Sequence, residues 1–373
     1  MASSEKPLVD VLQMAVDEIN DAGGIHGQKL EMIVADCRSD AEFCATEAER
    51  LVSSEHVAAL FGCWTSSCRK AVKKVVENHH HLLFYPVQYE GLESSPDIIY
   101  TGSTPNQQII PMSLWALQNK GKRFYLIGSD YIYPRRANLI VKEILQMQGG
   151  VLLAERYLPL GSQDFDVMIN EILLLQPDFI VNTINGESNL YFFRALKNKN
   201  IKASNIPVFS TSISESQLVS MNINDNHQQT NLAEGHYSAW NYFQSLDNPE
   251  NKIFIDKFKK KYGDNRVVDA PMEATYIAIK LWCSVVKENN IFDLKLIKNQ
   301  ISRESMMSPS GIVAMDFDTR HLWRKVFIGQ IKSNGQFHIV WQSSKEIRPA
   351  PFPFYRKKSE WLKLEHEFAE KSP

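Results

Sequence analysis

The chain has 373 residues, of which 44% are hydrophobic and 23% charged, a composition typical of a globular protein with one large domain or two of ordinary size. Its formal net charge of −2 argues against a nucleic-acid partner and against binding to an anionic membrane surface. No apolar run approaches the roughly 18 residues that a membrane-spanning helix needs, so the sequence predicts no membrane insertion.

The first third of the chain alternates between helical and extended patterns. Apolar positions over residues 5–22 have helical spacing, and Gly23 and Gly24 supply the glycines that commonly end a helix. From Cys68 onward the apolar residues again fall at helical spacing. Further strands are predicted at 30–35, 58–62, 82–85 and 98–101, and further helices at 41–52 and 107–117.

The middle of the chain continues this alternation, and the last part changes to period-two segments. The polar run 223–231 is predicted to be a loop insertion. Strands are predicted at 124–127, 151–157, 179–182, 208–209 and 236–240, helices at 137–147, 167–175, 190–196, 253–262 and 274–286, and period-two strands at 312–317, 326–331 and 337–341.

Alternating strands and helices indicate a mostly parallel sheet with helices on both faces. There are too many such units for one sheet, so we predict two α/β lobes with a cleft between them. The predicted first lobe comprises residues 1–120 and 242–318, and the second comprises 121–241 and 319–345. Residues 346–373 form a predicted C-terminal extension, which either straps the second lobe or leads to a further domain.

Aromatic and hydroxyl side chains follow three of the predicted strands. Trp64 and Ser66 follow the first of these strands, Tyr85 ends the second, and Tyr131 and Tyr133 follow the third. Ligands of parallel α/β sheets bind at the carboxyl edge, where such side chains converge. One aromatic ring there more often only packs at the edge, but several on successive loops favour a binding site. Rings with polar tips suit a flat, neutral ligand that forms hydrogen bonds.

Motifs for enzyme chemistry are absent from the sequence. It contains no dinucleotide-binding glycine pattern after a strand, no P-loop, no HExxH and no GxSxG. The consecutive residues His79, His80 and His81 point in different directions and make a poor metal site. Three carboxylates lie near predicted strand ends or helix starts without a signal that pairs them as acid and base: Glu187, Glu215 and Glu273.

The five cysteines are also read as non-catalytic. Cys63 and Cys68 lack CxxC spacing, which argues against zinc or redox chemistry, and an odd number of cysteines argues against a disulfide scaffold. We expect half-buried free thiols, with a bridge between Cys37 and Cys44 left open for an extracytoplasmic chain. No metal site is predicted.

Several long blocks of the sequence resemble one family in consistent order, from about Met1 to about Trp341. The blocks FGCWTSSCRKAV, LLFYPVQYEG, YTGSTPNQQ, GSDYIYPR, NTINGESN, GHYSAWNYFQ and APMEATYIAIKLW together resemble the urea and short-chain amide binding proteins of the type I periplasmic-binding fold. The resemblance implies two Rossmann-like lobes joined by a three-crossing hinge that closes on a ligand. It implies no catalysis and no cofactor.

The resemblance also implies partners and a location. The expected ligand is urea or a short-chain amide, delivered to an ABC permease from a periplasmic or other extracytoplasmic site. A more distant resemblance to the cytoplasmic amide sensor of amidase operons leaves open a sensor domain that regulates a signalling or transcription-antitermination partner. By position, the implied ligand-binding residues are Trp64, Ser66, Tyr85, Tyr131, Tyr133, Asn185, Glu187, Glu215 and Glu273.

One departure from the family concerns the start of the chain. The family opens with a strand and a Ser/Thr-rich loop before the segment that begins here at Met1 to Glu5. We therefore expect the first strand of the first lobe to be missing. No apolar leader precedes Glu5, so the predicted location depends on the resemblance alone.

Overall fold

The protein is described by a computed structural model that covers residues 2–224, 231–289 and 293–371. Its chain divides into two compact units. Unit 1 comprises residues 1–7, 107–270 and 325–345, and unit 2 comprises residues 8–106, 271–324 and 346–373.

Helices account for most of the regular structure. In the described residues they are α1 (Ala2–Asp21), α2 (Ala41–Ser53), α3 (Ser66–Asn78), α4 (Ile109–Asn119), α5 (Ile132–Met147), α6 (Asp166–Leu175), α7 (Ser188–Asn198), α8 (Glu215–Asn224), α9 (Pro249–Tyr262), α10 (Ala270–Glu288), α11 (Leu294–Ile301) and α12 (Lys358–Lys371), with a 3₁₀ turn at Pro105–Gln107. No helix of this part of the chain is long and apolar enough to cross a membrane.

The strands of the described residues are short, and they form three sheets. They are β1 (Leu60–Phe61), β2 (Leu83–Tyr85), β3 (Ile98–Tyr100), β4 (Arg123–Ser129), β5 (Val151–Leu158), β6 (Phe179–Thr183), β7 (Val208–Ser210), β8 (Tyr237–Trp240), β9 (Ser305–Ser308), β10 (Gly311–Met315), β11 (Leu322–Trp323), β12 (Phe327–Ile331) and β13 (Phe337–Gln342).

Unit 2 contains a parallel sheet of order β1-β2-β3 and a small antiparallel sheet of order β11-β10-β9. In the parallel sheet Leu60 is in register with Leu83, and Leu83 with Ile98. The sheet is buried because helices pack on it, and side chains of α1 and α10 such as Ile19 and Leu281 share its core. A sheet covered in this way leaves the ends of its strands for polar functions.

Unit 1 contains a seven-stranded sheet of order β13-β12-β8-β7-β6-β4-β5. Strands β8, β7, β6, β4 and β5 are parallel, whereas β12 and β13 add an antiparallel edge. All five residues of Phe179–Thr183 in β6 are buried. Continuous burial is what a central parallel strand requires, and it explains the unbroken apolar runs in the sequence.

The order of the predicted helices and strands is confirmed for most of the chain, but the strand predicted at 30–35 is wrong. That segment has no strand partner among the described residues, and Ile33 and Val34 are exposed. Its first residue is held instead by a side chain, because the Asn20 amide accepts from the Leu30 N–H at 2.7 Å and donates to the Leu30 carbonyl at 2.9 Å. The predicted insertion 223–231 begins inside α8, and residues 225–230 lie outside the described residues.

The unit boundaries differ from the predicted lobe boundaries because two helices, α4 and α9, belong to unit 1. Helix α4 packs its Trp115 ring 5.9 Å from Phe209 and 5.6 Å from Tyr237, both on strands of unit 1. In α9, Asn251 accepts a hydrogen bond from the Tyr242 hydroxyl at 2.7 Å. The chain therefore leaves unit 1 after residue 270 rather than at 241.

The segment predicted as a separate extension, 346–373, belongs to unit 2. The Leu92 N–H donates to the Pro351 carbonyl at 2.8 Å. Gly91 makes this approach possible, because a Cβ at that position would collide with the same carbonyl. Trp361 of α12 is fully buried, and its indole N–H donates to the Pro353 carbonyl at 2.9 Å. The described part of the C-terminal segment therefore packs as part of unit 2.

Candidate functional site

The loop between β1 and α3 places Trp64 at the carboxyl end of the unit 2 sheet. Cys63 turns the chain in the left-handed region, with φ of 63°. Thr65 then caps α3, its side chain accepting from the Cys68 N–H at 3.2 Å. Tyr85, the last residue of β2, donates its hydroxyl to the Trp64 carbonyl at 2.9 Å. The structure therefore brings Trp64 and Tyr85 together, as the strand-end argument predicts.

Tyr85→Phe tests this contact. Tyr85 is fully buried, so the variant keeps the ring and removes only the donor to the Trp64 carbonyl. We expect a loss of about 1–3 kcal/mol in the free energy of unfolding, because a half-buried carbonyl loses its partner. Guanidinium chloride denaturation measures the loss. Tyr262→Phe at the end of α9 is the matched control, and an equal effect in both variants would argue against a specific role for the Tyr85 hydroxyl.

Ser66 lies at the start of a buried ion cluster that the sequence did not predict. Its hydroxyl donates to Glu90 at 2.6 Å and accepts from Arg69 at 3.1 Å. Arg69 also contacts the carboxylates of Glu90 at 2.9 Å and Glu93 at 2.8 Å. The hydroxyl of Tyr100 donates to Glu93 at 2.8 Å. The Ser66 hydroxyl is therefore used within this cluster, both as a donor and as an acceptor. Ser66 follows Trp64 in the sequence by two residues.

Burial and the neighbouring opposite charges together set the pKa values of Arg69 and Glu93. Burial by itself lowers the pKa of the Arg69 guanidinium, but Glu90 and Glu93 outweigh that effect and hold the pKa well above its usual range. Burial by itself raises the pKa of Glu93, but Arg69 outweighs it and lowers the pKa to about 2. Arg69 and Glu93 are therefore both charged at neutral pH.

An aromatic stack continues the cluster. The Tyr100 and His321 rings are parallel with centroids 4.2 Å apart, and Tyr89 lies 5.1 Å from Tyr100. Burial lowers the pKa of His321 to about 4, so the imidazole is neutral at pH 7. Its Nδ1 lies 2.6 Å from the Thr319 carbonyl and carries the proton, because a carbonyl can only accept. The Nε2 atom then accepts from the Tyr89 hydroxyl at 2.6 Å.

Glu273, a predicted ligand-binding residue, is fully buried inside unit 2. One of its carboxylate oxygens contacts the Arg324 guanidinium, and the other accepts from the Ser310 hydroxyl at 2.6 Å and the Ser308 hydroxyl at 3.2 Å. Arg324 also donates to the Thr101 carbonyl at 3.0 Å. The Glu273–Arg324 pair fastens α10 to the end of β3 and the β9–β10 turn.

In unit 1 the predicted residues lie at the ends of β4 and β6. Helix α5 begins at Ile132, earlier than predicted, so Tyr133 is buried in its first turn while Tyr131 is half-buried just before it. Their rings are 6.4 Å apart. Asn185 is buried, and its backbone N–H donates to the Ser129 hydroxyl at 3.1 Å, which joins the two strand ends. Glu187 is different, because it is exposed at the start of α7.

Glu215 begins α8 and is fully buried in unit 1. Its Oε1 accepts from the Gln244 N–H at 2.7 Å, whereas its Oε2 is buried without a partner among the described residues. Burial and then the nearby Asp269 carboxylate raise the pKa of Glu215 well above its ordinary value. Asp269 itself accepts from the Ser214 hydroxyl at 2.7 Å. Burial and Asp269 therefore both favour the protonated, neutral form of Glu215, which has one proton to donate.

Comparison with known proteins agrees with this architecture. The profile of a family described as periplasmic binding protein domain matches residues 1–358. A curated relative, Leu/Ile/Val-binding protein homolog 6 of Brucella melitensis biotype 1, is 22% identical over 318 residues, which cover 82% of this chain and 80% of that protein. Another relative, limonene hydroxylase of Geobacillus stearothermophilus, is 40% identical over 119 residues, but these cover 32% of this chain and only 22% of that protein.

Solved structures of similar shape are binding proteins. A solute-binding protein of an ABC transporter from R. palustris, in complex with 4-hydroxybenzoate, has a TM-score of 0.80 at 21% identity, covering 91% of this chain and 94% of that one. The leucine-binding protein LivK of Thermotoga maritima has a TM-score of 0.79 at 18% identity, covering 92% and 95%. These likenesses establish the fold, and the urea or amide ligand stays a prediction.

Proposed function

Because this chain belongs to the periplasmic binding protein domain family, with the type I fold, we propose that it is a non-catalytic solute-binding protein that delivers its ligand to an ABC permease. Its place of action in this proposal is outside the cytoplasm. The proposed ligand is urea or a short-chain aliphatic amide. Its proposed contacts are Trp64, Tyr85, Tyr131, Tyr133 and Asn185.

The observation that supports a neutral ligand is the state of the buried cations in unit 2. Arg69 is fully buried against two carboxylates, and Arg324 is buried against Glu273 and a backbone carbonyl. A ligand carboxylate needs a guanidinium or another donor set that is not already neutralised. Neither arginine can supply one without breaking a buried ion pair. A neutral amide makes no such demand.

Groups at the ends of β4, β6 and β7 also match a neutral amide. Tyrosine hydroxyls donate and accept, Asn185 carries both an amide donor and a carbonyl acceptor, and the protonated form of Glu215, which its burial favours, can do both. Urea presents one carbonyl acceptor and four N–H donors on a flat frame. Such a ligand is held by groups that donate to its carbonyl and by groups that accept from its N–H donors, with aromatic rings as apolar walls.

Isothermal titration calorimetry with urea, acetamide, formamide and leucine tests the ligand class. Because small ligands gain at most about 1.5 kcal/mol per heavy atom, urea can reach about 6 kcal/mol, a Kd of tens of micromolar. We expect heat with urea or one of the two amides and none with leucine. Heat with leucine alone would overturn the proposed ligand and would leave the solute-binding function in place.

Substitutions assign the contacts. Trp64 is half-buried, so Trp64→Ala is expected to weaken urea binding by at least tenfold while the chain stays folded. Tyr85→Ala is less useful because Tyr85 is fully buried, and truncating a buried aromatic ring costs about 3–5 kcal/mol of stability. Tyr262→Ala, at the last residue of α9, is the control and should bind normally. Unchanged urea affinity in Trp64→Ala would exclude Trp64 from the site.

A further inference from the structure

The loop between β6 and α7, residues 184–187, carries Asn185 and is called the Asn185 loop below. Its backbone N–H groups are held by side chains of neighbouring strands. The Ile184 N–H donates to the Asn182 Oδ1 atom at 2.8 Å. The next N–H, that of Asn185, donates to the Ser129 hydroxyl at 3.1 Å. Two successive backbone donors of the loop are therefore satisfied within unit 1.

The carbonyl groups of the Asn185 loop are held in the same way. The Ile184 carbonyl accepts from the Asn189 amide of α7 at 2.9 Å and also from the Ser212 hydroxyl, which follows β7. The Gly186 carbonyl accepts from Gln217 of α8 at 3.3 Å and from Asn189 at 3.4 Å. Because side chains from several elements converge on two neighbouring carbonyls, the loop backbone is confined to one path.

Two buried asparagines, Asn182 and Asn189, are central to this arrangement. The Asn182 Nδ2 atom donates to the Asn189 Oδ1 atom at 2.9 Å, so each amide orients the other. Neither side chain has exposed surface, and each makes three hydrogen bonds. A buried amide is costly unless its hydrogen bonds are made, whereas an apolar residue makes no such demand. Burial alone therefore does not require these two amides, but the shape of the Asn185 loop does.

The Asn185 side chain is oriented by the same network. Its Nδ2 atom donates to the Thr183 carbonyl at 3.3 Å. Thr183 is fixed at the end of β6, because its hydroxyl donates to the Ile127 carbonyl at 3.1 Å. With Nδ2 used in this way, Asn185 offers its Oδ1 atom as an acceptor, which suits the N–H groups of urea or an amide.

We propose that Asn182, Asn189 and Ser129 are positioning residues of the ligand site, which hold the Asn185 loop in its binding shape whether or not a ligand is bound. This inference rests on the proposed function, since it takes Asn185 as a ligand contact. A loop that is ordered in advance loses little conformational entropy on binding, so its contacts contribute more to affinity. None of the three residues has to touch the ligand, because each acts through the loop backbone.

A matched pair of serine variants separates positioning from general stability. Ser129→Ala removes the acceptor of the Asn185 N–H. Ser343→Ala is the control, because Ser343 is also buried in unit 1 and accepts from the Val326 N–H at 3.1 Å. The Ser343 hydroxyl also donates to the Lys345 carbonyl at 2.8 Å, so guanidinium chloride denaturation should show at least as large a loss of stability in the control.

Isothermal titration calorimetry then compares affinities, with whichever of urea, acetamide, formamide and leucine binds the wild type. We expect at least fivefold weaker binding in Ser129→Ala and unchanged binding in Ser343→Ala. Asn189→Ala removes the donor to the Ile184 and Gly186 carbonyls and should weaken binding at least tenfold. If Asn189→Ala fails to fold, as judged by circular dichroism, the serine pair carries the test.

Hydrogen–deuterium exchange of the full chain without ligand tests the loop by itself. Mass spectrometry of peptides that cover residues 183–187 should show protected amides in the wild type and in Ser343→Ala, and at least tenfold faster exchange in Ser129→Ala. Unprotected amides in the wild type would overturn the proposal, and so would equal ligand affinity in the two serine variants. A wild-type chain that binds none of the four compounds would overturn the proposed ligand, and the exchange rates would then decide the positioning role alone.

Discussion

Replacing Arg69 with methionine is expected to lower the free energy of unfolding by about 3–5 kcal/mol, the usual cost of breaking a buried ion pair from one side. Arg69 has no exposed surface, and it bridges Glu90 and Glu93, which are buried as well. Methionine fills a similar volume without a charge. The variant leaves two carboxylates buried without their cation, and Ser66 loses the donor that orients it.

Guanidinium chloride denaturation, rather than urea, measures this loss, because urea is the proposed ligand. Lys70→Met is the matched control, since the neighbouring Lys70 pairs with Glu365 at a partly exposed position and should cost less than about 1 kcal/mol. The double variant Arg69→Met with Glu90→Gln should recover part of the loss by removing one of the stranded charges. A loss in Arg69→Met no larger than in Lys70→Met would show that the cluster does not stabilise unit 2.

Local patterns predicted the helices and strands well, because burial of one helix face or of a whole parallel strand leaves a strong periodic signal. The segment 30–35 shows the limit of this signal. It is apolar enough to suggest a strand, yet a strand needs a partner, and the described residues offer none. The compact units also divide the chain differently from the predicted lobes, since whether α4 and α9 belong to one unit or the other depends on distant contacts.

Predictions for the site were strongest where one rule of the fold applied. Carboxyl ends of parallel strands share one edge, and this rule correctly joined Trp64 to Tyr85. It could not find Arg69, whose carboxylate partners lie more than twenty residues further along the chain. A faint signal was present, because Glu90 lies in an otherwise apolar and aromatic stretch.

The expectation of half-buried free thiols is wrong for Cys37, Cys44 and Cys68, because their sulfur atoms come together from two separate helix starts. Cys37 and Cys44 lie on either side of the cap residue of α2, Cys68 lies in α3, and the packing of α2 on α3 sets the distance between them. Only tertiary structure brings such residues into one group.

Stability of the protein is expected to depend on pH through Glu215. In the folded state, burial and then the Asp269 carboxylate raise the pKa of the Glu215 carboxyl well above its ordinary value of 4.5. The unfolded chain therefore releases this proton near its ordinary pKa while the folded chain retains it. The stabilising contribution of protonated Glu215 is complete below the unfolded pKa and is lost as the pH rises toward the folded pKa. Over that window the unfolding free energy falls by up to about 1.4 kcal/mol per pH unit.

Glu215→Gln removes the titration and keeps an acceptor for the Gln244 N–H. The difference in unfolding free energy between this variant and the wild type should be smallest near the unfolded pKa and grow in favour of the variant as the pH rises. Guanidinium chloride denaturation at several pH values measures it, with the exposed Glu234→Gln as a control in the same unit. A difference that does not change with pH would mean that Glu215 is already ionised in the folded protein, and a neutral donor at this position would then be ruled out as a ligand contact.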